Sequence, residues 1–159
     1  MRWDELEAAA PELARLGRQR LEDARVALLG TLRRDGAPRI SPIEPYLSGG
    51  ELLFGAMTRS EKTRDLSRDP RCTLHSAVSS PDSGEGELKL LGRAVVADDA
   101  TRQACEGGWW RTQPEDAATV FALRVEQATF VSWDLDAGRL TIRSWSPAAG
   151  YAERRRPYP

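Results

Sequence analysis

The residues from Leu52 to Leu74 read LLFGAMTRSEKTRDLSRDPRCTL, and this stretch predicts a strand, a turn, a short basic helix and a second strand. The apolar run at its start is typical of a buried strand. Thr58 and Glu61 have the spacing of a capping box, so the helix is expected to begin at or just after Thr58. Asp69-Pro70 ends it, because proline disfavours helical geometry in the residue before it. The rest of the chain is expected to be organised around this unit.

The first turn of that helix has the composition of a phosphate site. Thr58, Arg59, Ser60 and Lys62 bring hydroxyls and cations to a helix end whose free N–H groups already carry a partial positive charge. Phosphate oxygens accept charge-assisted hydrogen bonds from such groups. The same pattern also fits a capped, solvated surface helix, and short basic helices of that kind are common. From the pattern alone, both interpretations stay open.

The bulk composition excludes several classes of protein. The 159 residues suffice for one domain, 1–159, with a sizeable core. A net charge of −1 and a pI near 5.9 argue against general binding to nucleic acid or acidic membranes. No run approaches the ~20 apolar residues of a membrane span, and the N-terminus lacks the apolar core of a signal peptide, so we expect a cytoplasmic protein. The isolated Cys72 and Cys105 and the single His75 favour buried thiols over a zinc cluster or a disulfide framework, and no metal site is predicted.

Before the opening stretch, the chain predicts a helical segment and a β-hairpin. Residues 1–23 have a helical apolar period that Pro11 interrupts, so we expect a kinked helix or a turn followed by a helix. Strands are expected at 25–33 and 37–47, joined by an Asp-Gly turn. Pro42 and Pro45 remove ladder donors, so the second strand should lie at an edge or be broken. With the strand that begins at Glu51, these predict a three-stranded meander.

After the basic helix, the pattern predicts more strands and little helix. Gly92 predicts a bulge in one of the strands, and the tail at 146–159 is expected to be irregular. Short antiparallel connections favour a mainly β (α+β) barrel or sandwich with two or three short peripheral helices. The remaining expected elements are strands at 71–78, 87–97, 120–133 and 139–145, a loop at 79–86, a helix at 100–105 capped by Asp98-Asp99, and a helical turn at 113–118.

The common catalytic motifs are absent from the sequence. There is no GxGxxG, no P-loop and no GxSxG, and His75 falls inside a predicted strand, where a satisfied structural role is expected. We therefore predict no catalytic side chain. Tryptophans at 109, 110, 133 and 145 stand near glycines or strand ends, where they would line a pocket or an interface, or pack in the core.

Several motifs in order resemble those of the pyridoxamine 5′-phosphate oxidase-like family, the flavin-binding split barrels. They are TLRRDGAPRISP, GGELLF and the run SEKTRDLSRDPRCTL, followed by ELKLLGRAVV and a final pair of strands. The resemblance extends from about Arg25 to Trp145. It implies a six- to seven-stranded antiparallel split β-barrel that forms a homodimer, with two cofactor sites between the subunits. The implied cofactor is FMN or the deazaflavin coenzyme F-420.

The resemblance also assigns residues to that cofactor. Lys62 and Ser60 match phosphate-binding positions, with Thr58 and Arg59 beside them. The strand Ser41-Pro42-Ile43 would run along the flavin ring, which gives its prolines a role. The resemblance further implies that Glu87 aligns with a ring-contacting glutamine, and that Trp133 and Trp145 reach the site from the partner subunit.

Three departures bear on the activity, and the first is Glu87, whose anionic side chain would oppose a reduced, anionic flavin where the family has the ring-contacting glutamine. Glu61 stands where the pyridoxamine phosphate oxidases have an arginine, and their C-terminal arginine–histidine pattern is not recognisable despite RRRP at 154–157. Vitamin-B6 oxidation is therefore not expected. The sequence favours an FMN- or deazaflavin-dependent oxidoreductase that acts on a small molecule, in which the cofactor supplies the hydride chemistry. A non-catalytic flavin carrier of the same fold is the alternative, and a purely structural β-domain is a distant third.

Overall fold

The computed structural model describes residues 1–79 and 84–158. Within them, nine strands form one antiparallel sheet that four α-helices flank. The strands are β1 (Ala27–Leu32), β2 (Pro38–Ile43), β3 (Pro45–Ser48), β4 (Glu51–Met57), β5 (Arg71–Ser76), β6 (Glu87–Val96), β7 (Ala118–Asp134), β8 (Arg139–Ser146) and β9 (Gly150–Pro157). The helices are α1 (Trp3–Ala9), α2 (Pro11–Ala24), α3 (Glu61–Arg68) and α4 (Asp99–Ala104), with 3-10 turns at Trp109–Thr112 and Glu115–Ala117.

The strand order is β2-β1-β5-β6-β7-β4-β3, and β8 pairs with β7 and β9. The 17-residue strand β7 connects the two parts of the sheet, because its start pairs with β4, its end pairs with β8, and most of its length pairs with β6. Consecutive strands β2 and β3 lie at opposite ends of this order. The molecule is thus a split β-barrel, as the sequence predicted.

The single strand predicted at 37–47 is two strands, and the predicted meander was wrong. The chain leaves β2 after Ile43, and β3 begins at Pro45 beside β4. Pro42 and Pro45 lack backbone N–H donors, so this segment cannot complete a ladder on both sides. The edge position expected for these prolines is confirmed, since β2 and β3 are the two ends of the strand order.

The C-terminal residues also form more structure than expected. The tail predicted to be irregular turns at 147–149 and forms β9. With the division into β2 and β3, this gives nine strands in the described residues, where six or seven were expected. Exposed arginines on β9 are compatible with an edge strand, where charge discourages further pairing. At the other end of the chain, Pro11 divides the helical segment into α1 and α2, so the helices number four in the described residues.

Two hydrophobic clusters lie on opposite faces of β4. Phe54 and Leu52 face the main core, which helices α1 and α2 also enter. Leu53 faces a smaller cluster with Cys105 and Trp110. Burial on both faces explains why β4 has a continuous apolar run. Both cysteines are buried free thiols, as predicted, and burial raises the pKa of Cys72 to about 12.

The register of β6 and β7 contains the bulge predicted at Gly92. The β6–β7 pairing shifts between Leu91 and Gly92, where a bulge was expected. A Cβ at position 92 would lie 2.2 Å from the carbonyl oxygen of Arg124, so the close strand contact requires glycine.

None of the described helices combines the length and apolar character needed to cross a bilayer.

Candidate cofactor site

A cavity of about 360 Å³ opens between the end of β2, strand β4 and the start of α3. Its lining is mainly apolar, with one cation and one carboxylate. We call it the Pro42 cavity, and its lining residues are Val26, Pro42, Ile43, Glu44, Gly55, Ala56, Met57, Lys62 and Trp109. Cavities of this size and character are typical of small-molecule and cofactor sites.

Lys62 joins the basic helix to the edge strand at this cavity. Its Nζ donates a hydrogen bond to the carbonyl oxygen of Pro42 at 2.8 Å. The side chain is half-buried, and desolvation lowers the pKa of its ammonium group. A single carbonyl satisfies one of three ammonium donors, which leaves two for a ligand.

The turn before α3 differs from the predicted cap. The helix begins at Glu61 and its N-cap is Ser60, whose Oγ accepts a hydrogen bond from the Thr63 N–H at 3.4 Å. Thr58 instead bonds to the neighbouring strand, since its Oγ1 accepts a hydrogen bond from Thr119 Oγ1 at 3.2 Å. Capping-box spacing is ambiguous when several hydroxyl residues stand together, and here the tertiary bond of Thr58 decides.

The charges around this turn are unevenly paired. Arg59 is exposed and makes no side-chain hydrogen bond or ion pair within residues 1–79 and 84–158. Glu61 pairs with Arg64 and lies 3.7 Å from Arg39. The carboxylate at the position of the expected cation is therefore directed to other arginines. Arg59 and Lys62 remain the cations available at the helix start.

Asp65 fixes the helix to the first hairpin. Its carboxylate is buried and accepts hydrogen bonds from Arg39 Nε at 2.7 Å, Thr31 Oγ1 at 3.0 Å and Arg68 Nη2 at 3.3 Å. Burial alone would raise the pKa of Asp65, but these hydrogen bonds outweigh it and lower the pKa. The start of α3 is thereby held in place beside β2.

An aromatic wall closes one side of the Pro42 cavity. Trp110 is buried, donates from Nε1 to the Arg102 carbonyl oxygen at 3.2 Å, and meets Tyr46 edge-on with ring centroids 5.1 Å apart. Trp109 packs against it at 6.2 Å and lines the cavity. A Cβ at Gly55 would lie 2.6 Å from Trp110 and 3.0 Å from Trp109. Glycine is therefore needed for both rings to lie on β4.

Glu44 and Tyr46 form a hydrogen-bonded pair at the break between β2 and β3. Tyr46 donates its hydroxyl proton to Glu44 Oε2 at 2.8 Å. Burial, followed by this bond to the carboxylate, raises the pKa of Tyr46 to about 12. The phenol therefore stays protonated and holds the carboxylate at the cavity.

Comparison with known proteins identifies the family of this chain. The family model described as pyridoxamine 5′-phosphate oxidase matches residues 16–132. The chain belongs to the pyridoxamine 5′-phosphate oxidase family. The match includes the split hairpins, α3 and nearly all of β7. No curated protein matched the sequence.

Several solved structures share the fold of this chain. A pyridoxamine 5′-phosphate oxidase-related, FMN-binding protein from Nostoc punctiforme PCC 73102 is 14% identical with a TM-score of 0.59, over 95% of this chain and 96% of that one. PhzG from Burkholderia lata 383, in complex with tetrahydrophenazine-1-carboxylic acid, is 12% identical with a TM-score of 0.64, over 96% and 92%. A heme-binding protein from Mycobacterium smegmatis is 19% identical with a TM-score of 0.56, over 87% and 88%. At these identities the matches establish the fold alone.

The residues that the resemblance to the pyridoxamine 5′-phosphate oxidase family assigned to a cofactor fall into two groups. Pro42, Ile43 and Lys62 line the Pro42 cavity, and the half-buried Ser41 precedes them on β2. Thr58, Arg59 and Ser60 form the turn that leads into α3. These seven residues are brought together by the fold.

The other three assigned residues lie elsewhere in the protomer. Glu87 and Trp133 line a separate cavity of about 350 Å³. Glu87 Oε2 lies 3.3 Å from His75 Nε2, whose Nδ1 is 2.7 Å from the Ser76 carbonyl oxygen, so the histidine is satisfied on its strand as expected. Trp145 is buried in the main core. Its ring packs in that core, and a contribution of Trp145 to a partner's site stays a prediction.

Sequence reasoning missed several residues of the Pro42 cavity. Glu44 was not singled out, although a charged residue between two strand-breaking prolines is a recognisable signal. The packing of Gly55 against two tryptophans had no local signal, because Trp109-Trp110 is over fifty residues away in sequence. Among the described residues, no cluster of histidine, cysteine and carboxylate side chains is suited to a metal.

Proposed function

We propose that this protein binds a flavin-type cofactor in the Pro42 cavity and acts as an oxidoreductase on a small molecule. The observation that carries the proposal is the hydrogen bond from Lys62 Nζ to the Pro42 carbonyl oxygen at 2.8 Å. It joins a cationic helix start to an edge strand at the mouth of an apolar cavity. A flavin-type cofactor would need a cationic helix start for its phosphate and an open strand edge for its planar ring, and here the two lie together.

The phosphate would bind at the turn of residues 58–62. Lys62 has two further donors, Arg59 is without a partner in the described residues, and the first N–H groups of α3 point out of the helix. Asp65 keeps the helix start fixed, so little ordering is required when the anion binds. Glu61 would not oppose the anion strongly, because arginines surround it.

The ring would lie along Ser41-Pro42-Ile43. Strand β2 pairs on one side only, with β1, so its other edge is open. Ile43, Ala56 and Trp109 supply apolar surface that excludes water from the cavity. A bound flavin would supply hydride transfer, and the chain would supply binding, orientation and a dry pocket. This division fits a sequence in which GxGxxG, P-loop and GxSxG motifs are absent.

We further propose that two copies pair through the outer face of β2, β1, β5 and β6. Ile40 is 71% exposed and Leu91 is 44% exposed. The two residues lie in one row of paired residues across the four strands, in which Gly30 and Thr73 stand between them. On the next row, Leu28 is 41% exposed beside Pro42. Exposed apolar side chains grouped in this way, with the polar Thr73 and His75 among them, support an interface. In such a dimer, Glu87 and Trp133 would belong to the neighbouring subunit's site.

The cofactor would be FMN or the deazaflavin coenzyme F-420. FMN needs a single phosphate anchor, which the turn of residues 58–62 supplies. The acidic tail of F-420 needs more cations, and an arginine-lined groove of about 410 Å³ follows α3. Its lining residues are Arg33, Arg34, Arg39, Arg64 and Arg68 with Asp35, Glu61 and Asp65. Because three carboxylates already occupy the groove, we favour FMN.

An absorbance spectrum followed by a cofactor titration tests the proposal. Protein purified with FMN should show flavin bands, roughly at 370 and 450 nm, whereas the deazaflavin absorbs near 400–420 nm as a single band. Saturable binding of either cofactor supports the site, and a protein that binds neither on titration contradicts it. Binding without any turnover across a set of small-molecule acceptors would favour the non-catalytic carrier, which Glu61 beside the phosphate turn keeps as the second candidate.

A further inference from the structure

Glu44 is the one carboxylate among the described residues that line the Pro42 cavity. Its side chain is exposed, and its Oε2 accepts the hydrogen bond from Tyr46 at 2.8 Å. The other oxygen, Oε1, makes no hydrogen bond or ion pair within the part of the chain that the structure describes. Glu44 thus lines the cavity with one oxygen oriented by Tyr46 and the other without a partner among the described residues.

The carboxylate belongs to a connected aromatic assembly. Tyr46 meets Trp110 edge-on, and Trp110 supports the Trp109 ring that forms the cavity wall. Gly55 lets these rings lie directly on β4. The orientation of both Glu44 and Trp109 is therefore fixed before any ligand arrives. A negative oxygen beside an aromatic ring is the combination that recognises organic cations.

We infer that the Glu44–Trp109 end of the cavity selects a planar, positively charged substrate, such as an aromatic ring with a protonated or quaternary nitrogen. This inference rests on the proposed function in that the Lys62 end is assigned to the cofactor phosphate. Lys62 is bonded to the Pro42 carbonyl and would face that anion, so it does not neutralise Glu44. An anionic substrate would meet the free Glu44 oxygen and be repelled.

Among residues 1–79 and 84–158, no side chain forms an ion pair with Glu44. Arg25 lines an adjoining cavity of about 540 Å³ together with Glu22 and Glu44. It forms no ion pair with Glu44, although both residues lie in the described part of the chain. Glu22 lies 3.5 Å from Arg18. Glu44 is thus the carboxylate of this region that is left for a ligand.

Three probes of matched shape and different charge test the inference. Calorimetric titration of the full chain, as purified, would compare the cation 1-methylquinolinium with neutral quinoline and anionic 2-naphthoate at pH 8. We expect the cation to bind at least about fivefold more tightly than quinoline, as an exposed ion pair plus a cation–π contact would give. Glu44→Gln keeps the acceptor for Tyr46 and should abolish that preference. Glu22→Gln removes the same charge nearby and should preserve it.

Trp109 provides a second readout. Trp109→Leu should weaken the cation by about threefold to fivefold, while Trp109→Phe should retain most of the affinity. Equal binding of cation and quinoline by the unmodified protein would overturn the inference, and so would equal losses from Glu44→Gln and Glu22→Gln. A titration with FMN separates the two proposals. If FMN fails to bind while the preference for the cation persists, only the flavin proposal is refuted. If FMN binds and the preference for the cation is absent, only the inference of a cationic substrate is refuted.

Discussion

Replacement of Lys62 by alanine tests the phosphate anchor most directly. The ammonium group is half-buried, and one of its donors already binds the Pro42 carbonyl oxygen. A charge-assisted hydrogen bond to phosphate contributes about 1.5–3 kcal/mol. At 25 °C this corresponds to a loss of FMN affinity of roughly 10- to 150-fold. Lys62→Ala also releases the Pro42 carbonyl, which could move the strand along the ring, so the FMN affinity by itself does not isolate the phosphate contact.

Riboflavin resolves the two effects, because it has the same ring and no phosphate. The assay is fluorescence titration of the unmodified protein and the variant with both ligands. The preference for FMN over riboflavin should collapse in Lys62→Ala, whereas a disturbed strand would weaken both ligands equally and leave their ratio unchanged. Arg15→Ala is the control, since Arg15 is an exposed cation that pairs with Glu12 on α2 and does not line the Pro42 cavity. An unchanged FMN-to-riboflavin ratio in Lys62→Ala would refute the anchor.

Four further outcomes are expected. Because desolvation lowers the pKa of Lys62, FMN affinity should begin to fall as pH rises at values below the ordinary lysine pKa, and Lys62→Arg should remove that fall. Gly55→Ala should destabilise the fold by about 1–3 kcal/mol in urea unfolding, since its Cβ would lie 2.6 Å from Trp110. Asp65→Asn should cost about 2 kcal/mol at neutral pH. Because the pKa of Asp65 is lowered in the folded protein, its ionised carboxylate stabilises the fold at pH values above the unfolded pKa of about 3.9. This stabilisation is lost as pH falls through the folded pKa, so the variant and the parent protein should become equally stable in acid. Leu28→Asp should give a monomer in light scattering, and a dimer of unchanged stability would contradict the proposed interface.

Elements defined by local pattern were predicted well from the sequence. Strand β4 was recognisable as an apolar run, and Asp98 caps α4 through a hydrogen bond to the Thr101 N–H at 2.8 Å, as its position suggested. The bulge at Gly92 was also visible, because glycine inside a strand marks a close backbone contact. These features depend on residues that are near each other in the chain.

Features that depend on distant contacts were not predictable in the same way. Thr58 had the spacing of an N-cap, but its bond to Thr119 leaves that role to Ser60. Strand β9 is polar along its length, so its pairing with β8 gave no apolar signal. The burial of Trp145 likewise depends on which way the β8 hairpin turns. In each case tertiary pairing outweighed the local pattern.

The break between β2 and β3 explains why a cation and a carboxylate line one cavity. A continuous strand through Glu44 would pair its carbonyls within the sheet, and the Pro42 carbonyl would be unavailable to Lys62. The prolines prevent that pairing, so the chain passes from one end of the strand order to the other at Glu44. Glu44, the residue at the crossing, lines the same cavity as Lys62 and Trp109. The sequence feature that divides the barrel therefore also brings one charge of each sign to a single, mainly apolar cavity.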